Sequence, residues 1–274
     1  MTKRFETFRN LRLAVVATAA VLVLAACGSS NDEIVYIERP PDQIYQAGLN
    51  ALEDGDYELA AEEFNEVERQ HPYSQFATEA QLMAAYAYYE NLDYDQAILA
   101  FERFIELHPG NPDVAYAYYM RALCYYEQIV DVERDQRQTE LAAQTLEEVI
   151  RRFPDSVYAR DARLKYDLTQ DQLAGQEMSI GRYYLRQREL PAAINRFRSV
   201  VDNYQTTSHT PEALYRLTEA YMALGLTEEA ERSATVLGAN FPGSEWYRNS
   251  YALLVEGAVP QEPGFFSRTL GSVF

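Results

Sequence analysis

The sequence predicts an all-α protein that consists of about five helix-pair repeats. The first observation is a set of residues spaced by three, four, three and five positions. Positions three and four apart lie on one face of a helix, and a small alanine in that face lets two helices approach closely. A proline at the end of the set stops the helix. The set occurs five times, with Gln205 in the proline position of the fourth copy: Tyr57-Ala60-Phe64-Val67-Pro72, Tyr94-Ala97-Phe101-Phe104-Pro109, Thr139-Ala142-Leu146-Val149-Pro154, Leu190-Ala193-Phe197-Val200-Gln205 and Thr227-Ala230-Ala234-Leu237-Pro242.

The second observation is another apolar-periodic stretch before these helices, which makes the repeating unit a helix pair. A small residue in the first helix, followed by alanine, an aromatic residue and proline in the second, is typical of the 34-residue tetratricopeptide repeat. The predicted fold class is therefore a tetratricopeptide-like helical superhelix. The upstream stretches are Ile44-Ala47-Gly48-Ala51, Ala84-Ala85-Tyr88, Ile180-Gly181-Tyr184 and Leu214-Leu217-Tyr221.

The repeats divide most of the chain into regular segments. The closing positions of successive repeats are 37, 45, 51 and 37 residues apart, so extra residues fall at two places. The charged segment 130–138 is predicted to protrude as a loop between the helices of the third repeat. Residues 159–173 are predicted to form an extended or extra helix. One continuous superhelix over 40–254, without a Gly/Ser linker, then contains five repeats at about 41–74, 78–111, 114–156, 174–207 and 211–244.

The two ends lie outside this pattern. Residues 27–39 are predicted to be a tether, and residues 255–274 a C-terminal tail. The tail breaks any helix between Pro260 and Gly264. Three roles stay open for it: a disordered tail, a segment that folds back on the last repeat, or an element that docks on a partner. Its apolar residues fit one short helical face: Phe265, Phe266, Leu270, Val273 and Phe274.

Residues 1–26 have the build of a lipoprotein signal peptide. Four basic residues precede an apolar stretch, and small residues precede Cys27. Cys27 would be the first mature residue and the site of lipid attachment. The apolar stretch 13–26 has only 14 residues, whereas a membrane-spanning helix needs roughly 20. In similar lipoproteins, an aspartate directly after the cysteine favours retention at the inner membrane. Gly28 stands at this position instead, which favours the outer membrane.

The mature chain is strongly acidic, and its charge is uneven. Removal of residues 1–26 takes away four basic groups and Glu6, which changes the formal charge from −18 to −21. Residues 28–113 carry 19 acidic and 3 basic groups, whereas 114–274 carry 22 and 17. This charge argues against nucleic acid as a partner, because nucleic-acid binding requires a basic patch. The two halves are expected to prefer different partners.

The sequence contains no pattern typical of an enzyme, a cofactor site or a metal site. Nucleophile-elbow, dinucleotide, phosphate-loop and paired zinc-ligand motifs are missing. His71 and His108 precede closing prolines and are predicted to be C-terminal helix residues, and His209 stands alone. Cys124 is the one cysteine left after lipidation of Cys27, and we expect a buried thiol. The prediction is a non-enzymatic protein without cofactors.

Two kinds of side chain are candidates for partner binding. Tyrosines in 86–89 and 116–119 lie on predicted first helices, where some pack in the core and others are able to line a groove for a peptide. The fourth repeat carries five arginines within 180–200, opposed only by Glu189. Guanidinium groups suit fixed contacts with carboxylates of a partner. Neutralisation inside this acidic protein is the alternative role for Arg182, Arg186, Arg188, Arg196 and Arg198.

Several residues, in their order along the mature chain, resemble the BamD family of outer-membrane assembly lipoproteins. The resemblance covers nearly the whole mature chain but not the tail after about residue 254. The residues that carry it are the signal ending in Cys27, Pro40-Pro41 with Ile44-Tyr45, Tyr86-Ala87-Tyr88-Tyr89, Arg103-Phe104-Ile105 with Pro109, Tyr119-Met120-Arg121 with Leu123, the insertion with Val130-Asp131 and Arg134-Asp135, and Asn195-Arg196.

The resemblance implies a five-repeat scaffold anchored in the inner leaflet of the outer membrane and facing the periplasm. Its partner would be BamA, the protein that inserts β-barrels into the outer membrane, together with other subunits of that machinery. In the family the C-terminal repeats bind the periplasmic domains of BamA, with the counterpart of Arg196 at the contact. The N-terminal repeats are associated with recognition of unfolded barrel proteins. The alternative function is a periplasmic tetratricopeptide regulator of cell-envelope or cell-wall machinery.

Overall fold

The computed structural model describes residues 38–256, and all regular structure in this range is helical. The predicted signal peptide, Cys27, most of the tether and tail residues 257–274 lie outside the described residues. The helices are α1 (Pro41–Asp54), α2 (Tyr57–Gln70), α3 (Ala77–Glu90), α4 (Tyr94–Leu107), α5 (Val114–Tyr126), α6 (Arg137–Arg152), α7 (Val157–Arg186), α8 (Leu190–Asn203), α9 (Thr210–Ala223), α10 (Thr227–Asn240) and α11 (Glu245–Tyr251), with a π-helical segment Ala252–Glu256 after α11.

Helices α1 to α10 pack mainly on their neighbours in the sequence, whereas α11 packs more on α9 than on α10. The helices therefore form five pairs, α1–α2, α3–α4, α5–α6, α7–α8 and α9–α10, followed by α11. This confirms the predicted fold class of helix-pair repeats. Among the described residues, no helix is both long and apolar enough to span a membrane.

The turn inside a pair has a common geometry. In four pairs it contains a residue with a left-handed backbone, at φ 79° for Gly55, 62° for Leu92, 65° for Arg188 and 75° for Gly225. Left-handed backbone closes a helix by letting the following N–H bond back to a carbonyl of the last turn. The N–H of Asp56, for example, donates to the carbonyl of Ala51 at 2.9 Å. The two helices of these four pairs are thus joined by short turns of two or three residues.

The two helices of a pair approach most closely where glycine faces phenylalanine. A Cβ placed on Gly48 of α1 would lie 2.8 Å from the ring of Phe64 on α2, and a Cβ on Gly181 of α7 would lie 2.4 Å from Phe197 on α8. Both phenylalanines are fully buried. The aromatic position of the repeat therefore packs into a space that the first helix leaves open.

The charged segment 130–138 is a loop as far as Gln136 and most of its residues are exposed, but its backbone is fixed to the rest of the protein. Helix α6 begins inside it, and Gln136 is buried, with its side-chain amide donating to the carbonyls of Asp131 and Arg134. Side chains of α7 also bind its backbone: Gln172 donates to the carbonyl of Val130 at 2.9 Å and Gln176 to that of Arg134 at 3.4 Å. The loop folds against α7 because these amides satisfy its carbonyl groups.

The extra residues between the third and fourth pairs lengthen one helix. Residues 159–173, predicted as an extended or extra helix, are continuous with the first helix of the fourth pair in the 30-residue helix α7. Ser156 caps its start by accepting a hydrogen bond from the N–H of Ala159. Helix α7 thereby contacts both α6 and α8.

Candidate functional site

Arg196, the arginine that the resemblance places at a partner contact, lies on α8 beside α7. The core face of α8 buries Ala193, Phe197 and Val200. Arg196 is on the adjoining face, where its Nη1 donates to both carboxylate oxygens of Glu177 on α7, at 3.0 and 3.2 Å. Its side chain stays 43% exposed. The guanidinium is therefore held in place while remaining accessible.

A cavity of about 290 Å³ opens at this arginine. A neighbouring cavity of about 260 Å³ shares Tyr184 with it and extends to Val132 and Glu133 of the insertion loop. The two cavities form a surface, here called the α7–α8 surface, that combines one arginine, amide and hydroxyl groups and two tyrosine rings. Its lining residues are Val132, Glu133, Gln176, Glu177, Ser179, Ile180, Tyr183, Tyr184, Ala192, Asn195, Arg196 and Ser199.

The structure does not bring the three arginines of the predicted site together. The Nη1 of Arg182 donates to Glu212 of α9 at 2.9 Å, and Arg186 is exposed at the last residue of α7. Neither residue lines the α7–α8 surface. Arg182 and Arg196 thus both pair with carboxylates inside the protein, and Arg196 also lines a surface cavity.

A buried ionic cluster lies beside this surface, and the sequence analysis missed it. Glu212 also accepts from Arg216 of α9, whose Nη1 donates to the fully buried Glu219 at 3.0 Å. Burial alone would lower the pKa of Arg216, but Glu219 and Glu212 outweigh it and raise this pKa. The guanidinium carbon of Arg216 lies 5.2 and 5.5 Å from the ring centres of Tyr215 and Trp246. The cluster joins α7, α9 and α11 through a charge that stays ionised.

The tyrosines of the first helices form a second group of candidate residues. Tyr119 of α5 stacks on Tyr158 of α7 with ring centres 5.3 Å apart, and its hydroxyl donates to Asp161. Burial is the main reason why the pKa of both Tyr86 and Tyr89 is raised to about 12. The carboxylate of Glu90 adds to this effect at Tyr86, and that of Glu127 adds to it at Tyr89. These phenols are neutral hydrogen-bond donors at any physiological pH. Tyrosines 86, 88, 89, 116 and 119 are all partly buried, so they pack in the repeats while keeping part of their surface accessible.

No group of three or more histidine, cysteine or acidic side chains in residues 38–256 is arranged to hold a metal ion. His71 and His108 are the residues that end α2 and α4, as the repeat period predicts. His108 contacts Gln81 at 2.7 Å, and His209 lies 3.6 Å from Asp171. These contacts give the histidines structural partners within and between helix pairs.

The five helix pairs make this a helical-repeat protein of the tetratricopeptide class. It carries an arginine-bearing surface between α7 and α8. Comparison with known proteins gives the family. The model of the YfiO family, described as an outer membrane lipoprotein, matches residues 37–237. The outer membrane protein assembly factor BamD of Caulobacter vibrioides is 49% identical over 93% of this chain and 83% of its own length. The BamD of Rickettsia prowazekii is 47% identical over 85% of this chain and 92% of its own length.

The chain belongs to the BamD family, which confirms the resemblance found in the sequence. Among solved structures, a thermophilic TPR protein of Thermus thermophilus is similar, with 19% sequence identity and a TM-score of 0.36. That match covers 79% of this chain and all of the other one.

Proposed function

We propose that this protein is a non-catalytic, lipid-anchored subunit of the outer-membrane β-barrel assembly machinery. The observation that carries the proposal is the 49% identity to an outer membrane protein assembly factor across 93% of the chain. A helical-repeat architecture suits this role, because stacked helix pairs expose extended surfaces for proteins.

The α7–α8 surface is the proposed docking site for the periplasmic domains of BamA. Arg196 is partly exposed beside a cavity, and its partner Glu177 is 17% exposed. Because the contact with Glu177 uses Nη1 of the guanidinium, a carboxylate of BamA is able to bind the other N–H donors while that contact stays in place. Tyr183 and Ile180 supply apolar area next to this charge. Arg182 supports the site from within by fixing α7 to α9, and Arg186 contributes to the positive charge at the end of α7.

The first two helix pairs are proposed to meet a different partner, unfolded outer-membrane barrel proteins. Residues 28–113 carry 19 acidic and 3 basic groups, whereas the half with Arg196 is nearly balanced. The partly exposed Tyr86 and Tyr89 of α3 add aromatic rings and neutral donors near Glu90 and Glu127. Aromatic rings with neighbouring hydrogen-bond donors suit an extended peptide. Contacts with other subunits of the machinery are part of the same proposal.

Cys27 is the proposed attachment point of the lipid, which would hold the protein on the inner leaflet of the outer membrane, facing the periplasm. Acyl chains contribute about 0.8 kcal/mol per buried methylene, and stable anchoring takes more than one chain or signal. We expect a Cys27→Ala protein, produced without its assembly partners, to leave the outer-membrane fraction. Fractionation measures this, with the wild-type chain as control. Retention of the variant on partner-free membranes would rule out Cys27 as the anchor.

Purification from outer membranes tests the assembly role directly. The tagged wild-type chain is expressed at its normal level, solubilised in mild detergent and purified by affinity, and its partners are quantified by mass spectrometry. We expect BamA in near-stoichiometric amount. Recovery of cell-wall enzymes without BamA would support the alternative, a periplasmic regulator, and would overturn the proposal.

A further inference from the structure

We propose that the α7–α8 surface binds its partner through two opposite charges, Arg196 of α8 and Glu133 of the insertion loop. The segment that docks there carries a carboxylate for Arg196, a basic side chain for Glu133 and apolar side chains between them. This inference rests on the proposed docking of BamA at the α7–α8 surface, and it adds the charge pattern of the docking segment. It starts from the cavity beside the insertion loop, which Glu133 lines.

Hydrogen bonds fix the backbone on both sides of Glu133. Its own N–H donates to the side chain of Asp131 at 3.0 Å, and the N–H of Arg134 donates to the carbonyl of Asp131 at 3.0 Å. Two glutamine side chains of α7 donate to loop carbonyls, one before Glu133 in the sequence and one after it. The loop therefore holds Glu133 at a defined place beside α7.

The carboxylate of Glu133 is available to a partner. Glu133 is exposed, and within residues 38–256 no arginine, lysine or histidine forms an ion pair with it. The side chains that line its cavity include no basic group. By contrast, Glu177 is engaged by Arg196, and Glu212 by Arg182. A basic side chain of a partner is therefore able to pair with Glu133 without breaking an ion pair inside the protein.

The two charges lie beside adjoining faces of α7. The cavity at the loop is lined by α7 residues between Gln176 and Tyr184, whereas the cavity at α8 is lined by Glu177 and Tyr184 of this helix. Gln176 and Glu177 are one residue apart, which is a rotation of about 100° around the helix axis. Tyr184 lines both cavities, and its ring centre is 5.6 Å from that of Tyr183, which is 52% exposed. Aromatic surface therefore separates the two charges.

This charge pattern selects among possible partners. Glu133 repels phosphate groups and carboxylates, so the surface does not suit an anionic lipid or a purely acidic peptide, although Arg196 alone would bind either. A segment with one basic group and one acidic group on either side of apolar residues pairs with both charges. The opposite orientation of the same segment places like charges together. The two charges therefore fix the direction in which the segment crosses α7.

Association kinetics between the full-length lipidated protein in detergent and the BamA periplasmic domains test this inference. Exposed charges at an interface act mainly on the association rate and its salt dependence. We expect Glu133→Lys to slow association at least about fivefold at about 50 mM salt, and we expect the difference to shrink at about 500 mM. Glu133→Gln, which removes the charge without reversing it, should have a smaller effect in the same direction. The control is Glu147→Lys, because it makes the same change of charge at an exposed residue of α6 that lines neither cavity.

Charge reversal in the partner identifies the basic side chain that meets Glu133. Each lysine and arginine of the BamA periplasmic domains is changed to glutamate in turn. One such variant is expected to restore the association rate of Glu133→Lys while slowing association with the wild-type chain. If no variant restores the rate, a basic contact of Glu133 is excluded.

The results separate this inference from the proposed docking site. If Glu133→Lys and Glu133→Gln associate at the wild-type rate while Arg196→Glu still weakens binding, the inference is overturned and the docking site stands. An equal effect of Glu147→Lys would also overturn the inference, because net charge alone would then explain the slower association. A wild-type chain that does not bind the BamA periplasmic domains would overturn the proposed docking and this inference with it.

Discussion

Arg196 and Arg198 lie two residues apart on α8 but differ in their surroundings. Arg196 lines a cavity and is held by Glu177, whereas Arg198 is exposed and lines neither cavity of the α7–α8 surface. A guanidinium carries five N–H donors in a fixed plane, so an arginine already oriented by one carboxylate loses little freedom when a second one binds. The proposed role of Arg196 thus depends on its position at the cavity rather than on its charge alone.

Cys124 is expected to be inert as long as the protein is folded. It is completely buried, and burial raises the pKa of its thiol to about 12. Because the thiolate is the reactive form, almost none is present near pH 8. In the Cys27→Ala background, alkylation by iodoacetamide should be negligible under native conditions and complete in guanidinium chloride. Rapid native alkylation would show that α5 opens frequently.

Glu219 is expected to be essential for stability, because it is a buried charge that neutralises Arg216. Its removal leaves Arg216 with Glu212, which Arg182 shares, as its remaining carboxylate, and breaking a buried ionic cluster costs about 3 kcal/mol. Glu219→Ala should lower the free energy of unfolding by that amount in urea denaturation. The control is Glu228→Ala, whose side chain is 87% exposed; a loss of equal size in both variants would contradict the account.

At the scale of the helices, close approach inside a pair depends on residues without side chains. Gly181→Ala would place a Cβ 2.4 Å from Phe197, so α7 and α8 must separate or the ring must move. Overpacking of this kind costs typically about 1–3 kcal/mol. Thermal and urea unfolding should show this loss, while Gly243→Ala, where nothing lies within 4 Å of the added Cβ, should change little. If Gly181→Ala left the free energy of unfolding unchanged, α7 and α8 would be loosely packed.

Local periodicity was enough to predict the helix pairs but not α11, since each second helix buries the alanine of the repeat and the residue four positions later. Long-range hydrogen bonds were not predictable in this way. The insertion loop is charged and reads as solvent-exposed, yet Gln136 and two glutamines of α7 fix its backbone. In the sequence Glu219 resembles a surface residue that pairs with Arg216 of the same helix. Its burial could not be predicted, because the ring of Trp246 that covers Arg216 belongs to another helix.

The candidate site was predictable only in part, for a related reason. The resemblance identified Arg196, and the helical period places it off the core stripe of α8. The cavity beside it depends on Tyr184 of α7, and the neighbouring cavity on Val132 of the insertion loop, which the folded loop brings to α7. The clustering of arginines in the sequence was less informative, because Arg182 is directed to α9.

At the scale of the whole molecule, different helix pairs are proposed to bind different partners. The acidic, tyrosine-bearing pairs near the N-terminus and the pair with Arg196 are parts of one run of packed helices. In repeat proteins stability is roughly a sum of neighbouring contacts, so a surface change in one pair leaves the others folded. Binding at the α7–α8 surface is therefore expected to be separable by mutation from the fold.

The most direct measurement is the affinity of this protein for the periplasmic domains of BamA, determined by titration calorimetry for the wild-type chain, Arg196→Glu and Arg198→Glu. Circular dichroism checks that all three have the same helicity. The account predicts that Arg196→Glu weakens binding at least about tenfold, a loss of about 1.4 kcal/mol, while Arg198→Glu stays close to wild type. Undiminished binding by the Arg196→Glu protein, or an equal loss in both variants, would contradict it.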